Sequence, residues 1–249
     1  MKKIYLFIII LVLVVTGCDL AVSAGNSQPA ETDKESKVSD PVVAAPAEKP
    51  EPVQASGTAT LLARTKVAQQ TDQIVLVCGH HLSLWNRKEG IWTEQLSTYA
   101  GYGYNGYSAA KREGDGATPV GCYPLPYAFG KENPGTLLPY RQITQNSWFS
   151  SALGDGTYNT WVERPQYVKG EHLADYAHKQ YYYAIMIGYN INPIVENHGS
   201  AIFLHCKGNS WNTAGCISVE QPIMRTLMVS VKPGAWIIMT TSEDALKNY

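Results

Sequence analysis

The sequence predicts a β-dominated, essentially all-β domain, and three observations carry that expectation. Apolar and polar residues alternate with period two over residues 82–86 and 91–96, on either side of the Lys88-Glu89-Gly90 turn, which is a hairpin pattern. Short apolar runs bounded by turn residues recur at 73–78, 180–189, 200–205 and 234–240, the signature of buried strands. One stretch reads as a helix, residues 222–231, where Pro222 suits the first helical turn and Pro233-Gly234 stops it. Residues 101–106, 133–139 and 154–157 are rich in glycine, asparagine and proline and read as loops. No internal repeat is visible.

Two segments precede this domain. Lys2 and Lys3 lead into an unbroken apolar run at 4–15, followed by Thr16-Gly17-Cys18. A charged start, a short apolar stretch and small residues before a cut site describe a secretory signal, and the run is shorter than the ~20 residues that cross a bilayer. The ending Val15-Thr16-Gly17-Cys18 resembles a bacterial lipobox, which implies that Cys18 becomes a diacylated N-terminus. Two acyl chains hold a protein on a membrane stably. Residues 21–60 contain no leucine, isoleucine or aromatic residue and carry five prolines. Such a composition cannot offset its ordering entropy, so a tether spanning on the order of 35 Å is expected. The expected organisation is therefore a leader at 1–18, a tether at 19–60 and a catalytic domain at 61–249. It places the domain in the cell envelope, outside the cytoplasm.

Charge excludes one class of function. The net charge is -1, with no basic excess, so nucleic acid has no electrostatic footprint to meet. Sixteen tyrosines and six tryptophans suit a surface that handles peptides or sugars, and equally suit core and rim positions.

Chemistry concentrates near the end of the chain. Of five cysteines, Cys18 is assigned to lipid, leaving Cys78, Cys122, Cys206 and Cys216. Cysteines outside the cytoplasm pair or are kept for reactivity, and the spacing of Cys78 and Cys122 neither supports nor forbids a disulfide. Cys216 follows Thr213-Ala214-Gly215, a turn whose small residues let a substrate approach the backbone and whose N–H groups, Gly215 among them, suit an oxyanion. A thiol needs a base to become a nucleophile at neutral pH. His205 ends the apolar run 201–204, and the intervening loop is long enough to return Cys216 beside it. His198-Gly199-Ser200 offers a competing histidine, but it stands before the apolar strand, and His205 is preferred.

The stretch from Gly199 through His205 to Thr213-Ala-Gly-Cys216-Ile-Ser218 resembles the catalytic segment of YkuD-type L,D-transpeptidases. Residues 112–121, with Thr118-Pro-Val-Gly121, are similar to that family's Thr-Pro-x-Gly segment, and residues 134–141 look like a branch of it found in lipoprotein-like forms. The resemblance covers about residues 73–240. It implies a β-sandwich or barrel-like catalytic domain with one short helix after the nucleophile and long loops. It also implies Cys216 as nucleophile, His205 as proton acceptor and donor, and Gly215 and Cys216 N–H groups at the oxyanion. The expected partners are peptidoglycan stem peptides, as donor and acceptor, with no cofactor, no metal and a monomeric chain. The product is a 3–3 cross-link, or, if water attacks the thioester, a shortened stem released by an L,D-carboxypeptidase. Ser218 stands where many members carry arginine, and Cys206 where many carry glycine or serine. Substrate contacts are then expected from Thr213, Ser218, Arg141 and Trp211, with Arg112 and Lys207 as further cations.

Other classes fit less well. Papain-related peptidases place cysteine before histidine in the chain, the reverse of the order here. A metallopeptidase would want a His-Glu-x-x-His helix, and the six histidines lack ligand-like spacing. A non-catalytic wall-binding lipoprotein has no need of a thiol beside an imidazole.

Overall fold

The computed structural model describes residues 57–249. The expected leader, Cys18 and residues 19–56 of the expected tether lie outside the described residues. Residues 57–60, assigned by composition to the tether, instead open helix α1 (Gly57–Ala63). Ala59 and Leu62 of that helix are buried, a tertiary contact that overrides a linker-like composition.

A 3-10 turn at Val67–Gln69 leads into β1 (Gln73–Cys78), β2 (His81–Lys88) and β3 (Ile91–Tyr99). Shorter strands follow: β4 (Tyr107–Ser108), β5 (Thr118–Pro119), β6 (Gly121–Pro124), β7 (Ala128–Gly130), β8 (Tyr140–Gln142), β9 (Ser147–Ser150), β10 (Trp161–Glu163) and β11 (Gly170–His172). Helix α2 (Leu173–Tyr176), β12 (Tyr183–Met186), β13 (Phe203–Cys206), β14 (Ile217–Val219), helix α3 (Gln221–Ser230), β15 (Trp236–Thr240) and a 3-10 segment at Glu243–Asn248 complete the chain. The domain is β-dominated. Its expected helix is α3, and α1 is an addition the sequence pattern did not signal.

The strands form two five-stranded sheets, ordered β3-β2-β1-β15-β6 and β14-β13-β12-β7-β8, with a three-stranded sheet β10-β9-β11 and the pair β4-β5 beside them. The two large sheets remain separate, so the architecture is a sandwich and not a closed barrel. Alternation of side chains along each strand sorts the interior into three cores. Val75, Val77, Leu82, Leu84, Ile237 and Met239 of the first sheet share one core with Ile185, Leu204, Cys206, Ile217 and Val219 of the second, and α3 contributes Met224, Leu227 and Met228. The opposite face of the first sheet, Ile74, Leu76, Trp85 and Ile238, is covered by Leu62 of α1 and by Leu246. The opposite face of the second sheet, Phe129, Ala184, Met186 and Phe203, packs with Phe149 of the three-stranded sheet and Leu173 of α2. Cys216 belongs to this third core.

That sorting settles the cysteines. Cys78, Cys122, Cys206 and Cys216 are all free thiols. Cys78 pairs with Thr240 and Cys122 with Ile238, so β15 lies between them. Two strand spacings amount to ~10 Å, beyond the ~7 Å that a disulfide spans. Cys206 and Cys216 sit in different cores on opposite faces of one sheet, which keeps Cys206 from trapping Cys216 while the sheet is intact.

Candidate active site

The outer face of the second sheet carries the candidate site residues His205 and Cys216. On β13, the period of two that buries Leu204 and Cys206 in the sandwich turns Phe203 and His205 outward. The loop after β13 reverses the chain and lays β14 parallel to it, with Leu204 opposite Ile217 and His205 opposite Ser218. Cys216 is the residue entering β14, so it arrives on the same face. Its sulfur receives the Phe203 N–H at 3.3 Å, and its thiol donates to the Ala201 carbonyl at 3.2 Å.

His205 is held by its own strand. Its Nδ1 lies 2.8 Å from the Cys206 carbonyl oxygen. A carbonyl only accepts, so Nδ1 carries the proton and Nε2 is left as an acceptor. The ring is packed edge-on by Tyr181, at 5.5 Å between centroids. Burial pushes the imidazole down to about 4, against a smaller opposing effect of the hydrogen bond to the Cys206 carbonyl. Burial pushes the Cys216 thiol up to about 12, and the charge of Glu171 adds to it; the Phe203 N–H and Lys111 oppose. Both effects favour the neutral forms, so the resting pair is a thiol and a neutral imidazole.

The turn before Cys216 is fixed from three sides. Gly215 has φ of +145°, and a Cβ there would meet the Ala117 carbonyl oxygen at 2.8 Å. Thr118, fully buried, donates to the Gly215 carbonyl at 2.8 Å and accepts from the Gly103 N–H at 2.9 Å. This gives the Thr118-Pro segment a physical role as a brace for the turn. Thr213 donates to the Cys216 carbonyl at 2.7 Å and accepts the Gly215 N–H at 3.0 Å. The Gly215 N–H is thus already engaged, whereas the Cys216 N–H has no acceptor among the described residues. On the far side, Asn159 accepts the Ala201 N–H and donates to the Tyr189 and Asn190 carbonyls. It thereby fixes Ala201 at φ of +55°, an uncommon conformation for a residue with a Cβ, with its carbonyl toward the thiol.

Cys216 and His205 open onto one cavity of about 780 Å³, whose wall also includes Lys111, Glu171, Tyr181 and Thr213. Not all residues expected at the substrate are there. Ser218 is fully buried behind Cys216, donating to the Trp211 carbonyl and pairing its backbone with Gly101. Trp211 packs against Tyr99 and under the Lys207 ammonium, outside the cavity wall, and Lys207 is paired with Glu220. Arg141 lies over the rings of Tyr127 and Trp161 on β8 and is likewise outside the wall, as is Arg112. Tyr140 packs against the sandwich core. His198 is exposed, with its carbonyl accepting from the Tyr189 hydroxyl, and does not line the cavity.

Two wall residues were less visible in sequence. Lys111 is buried and donates to Asp115 at 2.5 Å and to the Arg112 carbonyl at 2.8 Å. Burial would raise the Asp115 carboxyl, but hydrogen bonds from Lys111, Ala117 and Arg112 and the Lys111 charge outweigh it and hold the carboxyl low. The signal for this ion pair was the Lys-Asp spacing of four just before the Thr118-Pro segment. Glu171 belongs to the cleft: it accepts the Tyr181 hydroxyl at 2.7 Å. The adjoining His172 stands at the N-terminus of α2 without capping it, bonded to Asp175 and to the Gln145 carbonyl.

No family model matches the sequence, and no curated protein matches it. Solved structures do. Bdellovibrio bacteriovorus Bd1075 is 15% identical with a TM-score of 0.41, over 74% of this chain and 56% of that one. The helical cell shape determining protein Pgp2 from Campylobacter jejuni is 15% identical with a TM-score of 0.39, over 76% of this chain and 59% of that one. An Enterococcus faecium L,D-transpeptidase mutant is 15% identical with a TM-score of 0.34, over 68% and 50%. The chain spans between half and three-fifths of the length of these proteins.

Proposed function

We propose that the domain is a cysteine-dependent acyltransferase of the L,D-transpeptidase kind, acting on peptidoglycan stem peptides. The observation that carries this is the pairing of Cys216 with His205 on the wall of one cavity, the imidazole held through Nδ1 with Nε2 free to take a proton. In the first half-reaction the Cys216 sulfur attacks the carbonyl between the third and fourth stem residues as Nε2 takes the thiol proton. The Cys216 N–H receives the developing oxyanion. Nε2 then returns the proton to the nitrogen of the departing D-amino acid, leaving a thioester. A stem amine attacking that thioester gives a 3–3 cross-link; water gives a tripeptide stem. Lipidation of Cys18 fits the same reading, since a tethered domain on a membrane reaches the wall.

Incubating the protein with tetrapeptide-bearing wall fragments and resolving the products by mass spectrometry tests the proposal. Dimers cross-linked 3–3, or tripeptides released together with D-alanine, are expected, each lost in Cys216→Ala. If tetrapeptides come back unchanged under conditions where the domain is folded, the proposal fails.

The neutral resting pair has its own consequence. Ion-paired cysteine–histidine couples alkylate rapidly even below neutral pH, because the thiolate is already present. Here iodoacetamide is expected to label Cys216 at a rate that climbs about tenfold per pH unit from about pH 6 to about pH 10, without a plateau. Peptide mass mapping separates this site from Cys78 and Cys122. A rate independent of pH across that window would show a preformed ion pair and overturn this description.

A further inference from the structure

We propose that Glu171 is the carboxylate that receives the acceptor ammonium and takes its proton, which makes the three-stranded sheet the acceptor side of the cavity. This rests on the thioester reading above. Cys216 and His205 come from the second large sheet, whereas Glu171 comes from β11, delivered to the same cavity by a separate sheet. Its Oε1 is occupied by the Tyr181 hydroxyl at 2.7 Å. Its Oε2 has no partner among the described residues and is not sealed from solvent, so one oxygen of a carboxylate is left facing the cavity. The only buried cation on the wall, Lys111, already belongs to Asp115 and gives Glu171 no ion pair among the described residues. Glu171 nevertheless lies near enough to Cys216 for its charge to raise the thiol. An anion in that place hinders formation of a thiolate, so it does not serve the first half-reaction. It suits the second, in which the arriving group is a cation.

The chemistry balances as follows. An alkylammonium, R–NH3+, binds against Oε2 and gives one proton to the carboxylate, leaving R–NH2 and a neutral Glu171. The amine nitrogen attacks the thioester carbonyl, and His205 Nε2 takes one of its protons. The C–S bond breaks with its electron pair going to sulfur, and the imidazolium returns its proton to Cys216. The products are an amide, a thiol, a neutral imidazole and a protonated Glu171 that loses its proton to solvent. Burial raises the Glu171 carboxyl to about 7, against the Tyr181 hydrogen bond, which makes it a stronger base than an ordinary carboxylate while still ionised in part at neutral pH.

Glu171→Gln keeps the acceptor for the Tyr181 hydroxyl and removes the charge. The informative readout is how the thioester partitions. Tetrapeptide donor is supplied with either a stem peptide bearing an alkylammonium acceptor or hydroxylamine, which is uncharged at neutral pH. The ratio of amide to tripeptide is expected to fall at least tenfold in Glu171→Gln with the ammonium acceptor, while the ratio of hydroxamate to tripeptide stays within about twofold of wild type. Hydroxamate formation also certifies that the variant is folded and acylated. Equal losses with both acceptors would assign Glu171 to positioning Tyr181 and His205 and overturn the proposal, as would an unchanged amide ratio. A wild-type protein that yields tripeptide and hydroxamate but no amide with the ammonium acceptor overturns it too, leaving the thioester reading intact. Absence of any thioester product in the wild type removes both.

Discussion

His205→Ala is expected to lower formation of the acyl-enzyme between a hundredfold and ten-thousandfold, about the range for losing a positioned general base. The size follows from the resting state. Burial holds the thiol up, to about 12, and the imidazole down, to about 4, so both rest neutral and no ion pair is preformed. On the proposed mechanism the proton leaves the thiol as the carbonyl is attacked, and Nε2, left as an acceptor by the Nδ1 contact to the Cys206 carbonyl, takes it. Without it, only the small thiolate fraction present at assay pH reacts. His198→Ala removes an exposed side chain on the loop before β13 and is expected to keep nearly the full rate. Single-turnover release of D-alanine, with a thermal melt of each variant, checks both. Full activity in His205→Ala would end its assignment as the base.

The contrast between those two histidines also shows what a sequence makes legible. The strands of the first sheet are readable for different reasons: β1 is an unbroken apolar run because both its faces are buried, whereas β2 and β3 carry polar residues where one side meets solvent. The same rule places His205: Leu204 and Cys206 must face the sandwich, so His205 faces away from it. Ser218 went astray by that rule too. Ile217 and Val219 take the sandwich side, and Ser218 is consumed by Gly101 and the Trp211 carbonyl, an isolated bridge with no sequence signature. Arg141 and Trp211 were reasonable cations and rings near the motif, but their partners, Tyr127 with Trp161 and Tyr99 with Lys207, are set by tertiary packing. Glu171 was hardest to place, because β9, β10 and β11 are three or four residues long and too short for a period to declare itself. Lys111 was obscured for a different reason: an i,i+4 ion pair normally reads as a solvated face, and here a loop carries it into a wall.

Gly215→Ala is expected to cost both stability and nearly all activity, by routes that can be separated. At φ of +145° an L-residue pays about 1–3 kcal/mol for the backbone conformation alone. The added methyl would sit 2.8 Å from the Ala117 carbonyl oxygen, a backbone atom, and 3.1 Å from Ile202 Cδ1. The backbone carbonyl cannot swing aside as a flexible side chain would, because the Ala117 N–H is tied to Asp115 and the next residue, Thr118, is the brace on Gly215. Relief has to come from the turn, which moves the Cys216 N–H and sulfur relative to His205. A displacement of about 1 Å at such a site is worth about a hundredfold in rate. The melting temperature should therefore drop by about 2–4 °C for each kcal/mol in a domain of this size. Gly208→Ala provides the comparison: it lies in the same loop without a positive φ, and its new methyl would meet only the movable Gln180 side chain, at 3.1 Å. Its melting temperature should stay within a few degrees of wild type. Similar melting curves for Gly215→Ala and Gly208→Ala would mean that the turn relaxes freely, and that Thr118 and Ala117 do not hold Cys216 in place.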